Sequence, residues 1–265
     1  MNPSHQSRGE STIYSPAGEV HAVSMNTRTY AGWIAAVLAL PVAGFAAEPA
    51  PTAIAQQAPA EAIDADRAFA YGLAYDSGTV VPQDYEQAFR WFTLAADAGH
   101  AEAMNRLGIF YAMGHGVAQD YGAAVEWYRR AAERGSASAM NNMATAYFNG
   151  LGVPRDYAIA ARWLEPLAGS GDVRAQNKLA LLYEHGLGVT KSRRKAFELL
   201  QQAAAQQYAP AMANLGAMYA DPKSPHYDEK RAAQLIETAL KMGLPEGMRQ
   251  VMASRLDSMH LGLDL

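Results

Sequence analysis

The chain has no cysteine in its 265 residues. That excludes disulfides, thiolate nucleophiles and cysteine-ligated zinc. An excess of basic charge is also missing: 22 Lys and Arg stand against 26 Asp and Glu, giving a formal net charge of −4 with the seven histidines neutral. A nucleic-acid surface calls for a basic stripe, so nucleic acid is not an expected partner. Charged residues make up 18% and hydrophobic residues 50% of the chain, the balance of a folded soluble protein with a large apolar core. Long apolar runs are scarce. The run from Tyr30 to Phe45 spans about 16 residues and contains Pro41, short of the roughly 20 residues a spanning helix needs.

That run is better placed in a secretory signal peptide, Met25 to Ala46. Arg28 supplies a basic start, and Gly44 and Ala46 are small residues at the −3 and −1 positions of a cut before Ala47. The expected location is therefore periplasmic or secreted, with no stable membrane insertion after cleavage. The alternative is an uncleaved N-terminal anchor. Cysteine does not follow the cut, which excludes a lipoprotein. Residues 1–24 are polar and patternless, and a signal normally begins a chain, so Met25 is expected to be the initiator. Residues 47–62 are rich in Ala, Pro and Gln and read as an extended linker.

From residue 63 onward the chain repeats. Tyr75, Tyr111, Tyr147, Tyr183 and Tyr219 are each 36 residues apart. So are Ala88, Ala124, Ala160, Ala196 and Ala232. Trp91, Trp127 and Trp163 continue as Leu199 and Leu235; Asp84, Asp120 and Asp156 continue as Ser192 and Asp228. Self-similarity at this period marks a repeat architecture. Five units are read, about 63–98, 99–134, 135–170, 171–206 and 207–243, with a capping helix over 244–265.

Each unit carries two helical patterns. In the second, helix A is expected over about Ala101 to Met113, with Ala103, Leu107, Gly108 and Tyr111 on one face. Gly114-His115-Gly116-Val117 breaks it, because glycine reaches positive φ without strain. Asp120 suits the N-cap of helix B, about Tyr121 to Arg134, whose buried stripe is expected to be Ala124, Trp127 and Ala131. Gly108 and Ala124 lack bulk, so the two helices can approach closely. No hairpin of this kind buries its apolar face alone; stacked neighbours supply the core, and the fold class is an all-α solenoid.

The run Leu107-Gly108-x-x-Tyr111-x-x-Gly114-x-Gly116-Val117-x-x-Asp120-x-x-x-Ala124-x-x-Trp127-Tyr128-x-x-Ala131-Ala132-x-x-Gly135 resembles the Sel1-like repeat, a relative of the tetratricopeptide repeats with a longer interhelical loop. The resemblance covers about Ile63 to Gly247. It implies a superhelix of hairpins and is weak on function, because function lives in sites rather than folds. There are departures. The fifth unit has Asp221-Pro222-Lys223-Ser224-Pro225 in place of the glycine loop, expected to be stiffer. Gln207 stands where other units have a terminal glycine. Pro166 falls inside helix B of the third unit and is expected to kink it or loosen its last turns. Arg255 takes the place where a sixth tyrosine is due.

Little in the chain reads as catalytic chemistry. Gly114-x-Gly116 and Gly150-x-Gly152 look like fragments of phosphate loops, but no strand pattern precedes them and they recur as a repeat element. His115 and His185 lack metal-ligand spacing and are expected to be exposed loop residues. Nucleophile-elbow serine, Ser-x-x-Lys with its partners and His-Glu-x-x-His are all missing. Family members linked to β-lactams are built on cysteine pairs, which this chain lacks. No enzyme activity, cofactor or metal is expected.

The expected site is the exposed face of the A helices, which in helical-repeat proteins lines the concave groove. With Leu107, Gly108 and Tyr111 turned inward, Glu102, Asn105 and Ile109 face the groove. Shifts of 36 add Phe69 and Leu73 in the first unit, Asn141, Thr145 and Phe148 in the third, and Asn177, Leu181 and Glu184 in the fourth. Asn105, Asn141 and Asn177 form a ladder. An asparagine amide donates and accepts, so such a ladder suits the backbone of an extended peptide; equally, it suits a bridge between adjacent A helices. The resemblance implies a non-enzymatic interaction scaffold of the bacterial cell envelope with a protein or peptide partner. It also admits a periplasmic regulator of a sensor kinase or exopolysaccharide system, or a cell-wall or β-lactam-directed hydrolase using a groove carboxylate such as Glu184.

Overall fold

Helix and loop alternate with the 36-residue period from Asp64 onward. The computed structural model describes residues 64–263, so the upstream segment, the signal peptide and the linker lie outside the described residues. The A helices are α1 (Ala65–Ser77), α3 (Ala101–Met113), α5 (Ala137–Asn149), α7 (Val173–His185) and α9 (Ala209–Tyr219). The B helices are α2 (Tyr85–Asp97), α4 (Tyr121–Glu133), α6 (Tyr157–Gly169), α8 (Arg193–Ala205) and α10 (Glu229–Met242), and α11 (Glu246–Leu263) follows them. The described residues contain no strand: the chain is an all-α solenoid. Two compact units divide within α6, between Trp163 and Leu164, and are taken in turn below.

Two of the repeated columns are tied to each other through the backbone. The carbonyl of each ladder tyrosine accepts from the N–H of the residue that caps the next B helix: Asp84 to Tyr75 at 3.1 Å, Asp120 to Tyr111 at 2.9 Å, Asp156 to Tyr147 at 2.9 Å, Ser192 to Tyr183 at 2.8 Å and Asp228 to Tyr219 at 2.9 Å. The side chains of Asp84, Asp120, Asp156, Ser192 and Asp228 then accept from the first-turn N–H groups of those helices. One position of the repeat, Asp in four units and Ser in the fourth, thus closes the loop through its N–H and starts the helix through its side chain. The fifth loop reaches the same closure without glycine, through turns in which Ser224 N–H donates to Asp221 O at 2.8 Å and Tyr227 N–H to Ser224 O at 3.2 Å.

In the 64–163 unit, Trp91, Phe92, Leu107 and Phe110 are fully enclosed. A Cβ built on Gly108 would stand 2.5 Å from the Tyr128 ring and 3.0 Å from the Ala124 carbonyl, so the small residue sets how closely α3 and α4 approach. The second loop glycine has a different role. Gly116 has φ of +62°, and a Cβ there would run into the backbone carbonyl of Tyr85; Gly152, at +71°, meets Tyr121 in the same way. Each such loop therefore rests on the start of the preceding repeat's B helix.

In the 164–263 unit, Leu164, Leu182, Ile236 and Met252 are large enclosed apolar side chains. Met248, Met252 and Met259 of α11 belong to the same core cluster as Ile236 of α10. Arg255, at the tyrosine position, donates from Nη1 to the Ala217 carbonyl of α9 at 3.3 Å.

Three expectations are corrected. Trp127 is half-buried, with the Arg130 guanidinium 4.8 Å from its ring centroid, while Tyr128 is the buried aromatic of α4. The reason is that Tyr128 lies opposite Gly108, where the free space is. His115 is half-buried rather than exposed, its ring stacked on Tyr85 at 4.2 Å. Pro166 does not shorten its helix: α6 has the same 13 residues as α2 and α4. Pro166 and Arg162 are both exposed, and Leu164, Leu167 and Ala168 around the proline are buried, so packing holds the last turn despite one missing N–H.

Candidate interaction surface

In the 64–163 unit the structure separates the expected groove residues into open and closed ones. Phe69, Leu73, Glu102, Thr145 and Phe148 remain half-exposed. Asn105, Asn141 and Ile109 do not: their exposures are 1%, 4% and 5%. Asn105 is enclosed in a bridge. Its Nδ2 donates to Glu102 Oε1 at 2.9 Å, and its Oδ1 accepts from Asn142 Nδ2 at 2.8 Å. The other Glu102 oxygen accepts from Ser136 Oγ, the N-cap of α5, at 3.1 Å. Neither amide atom of Asn141 has a hydrogen-bond partner among the described residues.

The 164–263 unit repeats the bridge. Asn214 Nδ2 donates to Asn177 Oδ1 at 2.8 Å, and Asn177 and Leu181 are buried. Glu184 is buried as well, and its Oε1 accepts from Arg193 Nε at 3.0 Å. The same guanidinium reaches Asp221 through Nη2, and that hydrogen bond, with a second from the Lys223 N–H, holds the Asp221 carboxyl below the usual range. The carboxylate a hydrolase would use is thus committed to an arginine.

The expected facing of Asn105, Ile109, Asn141, Asn177, Leu181 and Glu184 into open solvent is therefore corrected. Within each unit the Asn105 and Asn177 columns turn toward the next A helix. The accessible polar edge is displaced by one residue, about 100° around the helix. It carries Arg106 and Asn142 in one unit, both half-exposed; Lys178 stands at the same repeat position in the other, with its ammonium withdrawn from solvent. These three share the 36-residue spacing, so the signal was present in the sequence; the identity of the asparagines drew attention to the column beside it. Arg106 Nη1 lies 3.3 Å from Asp76 Oδ2; burial raises the Asp76 carboxyl, opposed by Arg106 and then His115. Asn142 spends an amide hydrogen on Asn105, and its oxygen accepts nothing among the described residues.

The surface left on the A helices offers amide and guanidinium hydrogen bonding next to half-exposed Leu73, Met113 and Phe148. Among the described residues, no three His, Asp or Glu side chains gather as metal ligands, and no helix is long and apolar enough to cross a membrane.

Fold and surface together define a helical-repeat solenoid. The family model of the Sel1 repeat matches residues 68–100, 101–136, 137–172, 173–208 and 209–244, and the chain belongs to the Sel1 repeat family. Proteins of this family are generally protein-interaction scaffolds, and the fold is typically non-catalytic. Similar solved structures include a Sel1 repeat protein from Oxalobacter formigenes, 29% identical with a TM-score of 0.69, the match covering 80% of each chain. Another is a protective antigen of uropathogenic Escherichia coli with the SLR fold, 32% identical with a TM-score of 0.65 over 75% of this chain. The chain spans only 42% of that protein's length. No curated protein matches the chain.

Proposed function

We propose that this protein is a non-enzymatic scaffold of the bacterial cell envelope that holds an extended segment of a protein partner on its A-helix face. The observation that carries the reading is the α5 surface. Asn142 presents an amide oxygen without a partner among the described residues, and Thr145 and Phe148 stay half-exposed beside it while the neighbouring Asn141 is buried. A peptide N–H satisfies the amide oxygen, and an apolar side chain covers Phe148 and, two repeats back, Leu73. Such main-chain hydrogen bonding with side-chain pockets is a general way to read extended peptides. The envelope location rests on the signal peptide read at Met25 to Ala46.

Two experiments test this. Immobilised wild-type protein should retain a partner from the native envelope that a Thr145→Lys, Phe148→Glu variant of unchanged helicity does not retain; equal retention removes the A-helix face from the account. The secreted product should have a mass that begins at Ala47; a product carrying residues 25–46 contradicts cleavage.

A further inference from the structure

Two positions of the 36-residue pattern change character together in the fourth repeat. Trp91, Trp127 and Trp163 are followed at the same spacing by Leu199, and Met104 and Met140 are followed by Gln176. In the 64–163 unit, Trp127 packs on the cluster that holds Met104 and Leu107. In the fourth repeat both the indole and the thioether are gone from these positions; Met212 restores the thioether in the fifth. A cleft of about 740 Å³ opens there between the end of α6, α7 and α8, with Gln176, Leu179, Tyr183, Lys195, Leu199 and Gln202 on its walls.

Gln176 is the unusual member. It is only 3% exposed. Its Nε2 donates to the Ala168 carbonyl at 3.2 Å and to Gln202 Oε1 at 3.0 Å, which occupies both amide hydrogens. Its Oε1 is buried and accepts nothing among the described residues. Buried amide oxygens are normally paired, because desolvation without a donor is destabilising. At the wall of an open cleft, an unpaired acceptor is a fixed point for a donor supplied from outside.

We propose that this cleft binds a neutral saccharide. Trp to Leu removes apolar bulk and Met to Gln adds hydrogen-bonding capacity, so the space left by the indole is lined by a polar amide and suits a more polar occupant. The rim mixes the amides of Gln202 and Gln206, the carboxylates of Glu165 and Glu198, and Ser170. A sugar hydroxyl both donates and accepts, so each of these groups can serve it, and one hydroxyl supplies the donor that Gln176 Oε1 lacks. Leu179, Leu199 and the Tyr183 ring take the C–H face; the Lys195 ammonium lies 4.9 Å from the centroid of that ring. With charges of both signs on the rim, the cleft favours no strongly charged ligand. It is confined to one gap between helices, whereas an extended peptide needs a longer track. Its size lies within the range of about 300–1,000 Å³ usual for small-molecule sites.

The test is a titration of the purified chain with maltotriose, cellotriose and chitotriose, followed by the side-chain amide NMR signals of Gln176 and Gln202. At least one sugar should shift both signals saturably. Leu199→Trp restores the indole of the other repeats and should weaken that binding by about tenfold or more. Gln176→Leu removes the buried acceptor and should weaken it similarly with helicity retained. If none of the three sugars moves these signals, or if a sugar binds Leu199→Trp as tightly as wild type, the proposal falls. If N-acetyl-triglycine amide shifts the signals and the sugars do not, the cleft is a peptide site and the saccharide assignment is overturned.

Discussion

Asn142 Nδ2 donates to Asn105 Oδ1 at 2.8 Å, across 37 residues of sequence and from one A helix to the previous one. Asn214 and Asn177 repeat the contact at the same offset and distance. In each unit the bridge satisfies a buried amide and sets how the A helices lie against each other, which decides what the neighbouring surface exposes.

The bridge predicts an energetic coupling. Asn105→Ala leaves Asn142 Nδ2 without its acceptor and Glu102 Oε1 without its donor, while Ser136 still serves the other carboxylate oxygen, and should cost about 2–3 kcal/mol. In a double-mutant cycle with Asn142→Ala, denaturant titration should give a coupling of about 1 kcal/mol. Simple additivity would mean that the bridge adds nothing.

The loop glycines should separate into two classes. Gly135→Ala, at φ +85° with nothing within 4 Å of the built Cβ, meets only the backbone penalty of about 1–2 kcal/mol. Gly116→Ala adds overlap with the Tyr85 carbonyl and should lower the melting temperature distinctly more. Equal losses would show that the loop does not rest on α2.

These glycines also show how far sequence reaches. The 36-residue period was legible from Tyr, Ala, Trp and Asp, and with it the hairpin, the loop and the B-helix N-cap. Local rules suffice for those, since a cap or a positive φ depends on near neighbours. The need for Gly116 came from a carbonyl 31 positions earlier, so it showed only once the repeats were stacked. The same limit applied to the candidate surface. Helical periodicity singled out one side of helix A, yet a one-residue rotation separates Asn105, enclosed by the next helix, from Arg106 and Asn142 at the edge. Phe148 and Thr145 are half-exposed, whereas Ile109, Leu181 and Glu184 at the same repeat positions are buried, so the period alone does not decide exposure.

Gln207 occupies the left-handed position at φ +60° that Gly99, Gly135 and Gly171 hold at the ends of the earlier B helices. Gln207→Gly should raise stability by about 0.5–1 kcal/mol, the relief of Cβ strain less the added freedom of the unfolded chain. A lower denaturation midpoint would show that the Gln207 side chain has a stabilising role that outweighs its backbone strain.

Lys178 gives a pH signature. Burial, with the nearby Arg174 adding to it and Asp172 opposing, pushes its ammonium down to about 8 from 10.5 in the unfolded chain. Between these values the unfolded state binds more protons, so this residue makes stability rise as pH increases from about 8 toward 10.5, and it contributes no slope below that window. Relative to Lys178→Met, wild-type protein should gain at most about 3 kcal/mol across the window. A flat difference between the two proteins would rule out the depressed value.

The central claim, that the A-helix face holds a protein partner, is tested most directly by site-specific photo-crosslinking in the native envelope. A benzophenone amino acid replaces Phe148 on α5 in one variant and the exposed Arg162 on α6 in another. The account predicts a discrete adduct of one partner at Phe148 and none at Arg162, lost when Asn142 is changed to Lys in the same chain. An adduct of the same partner at both positions, or at Arg162 alone, would contradict it.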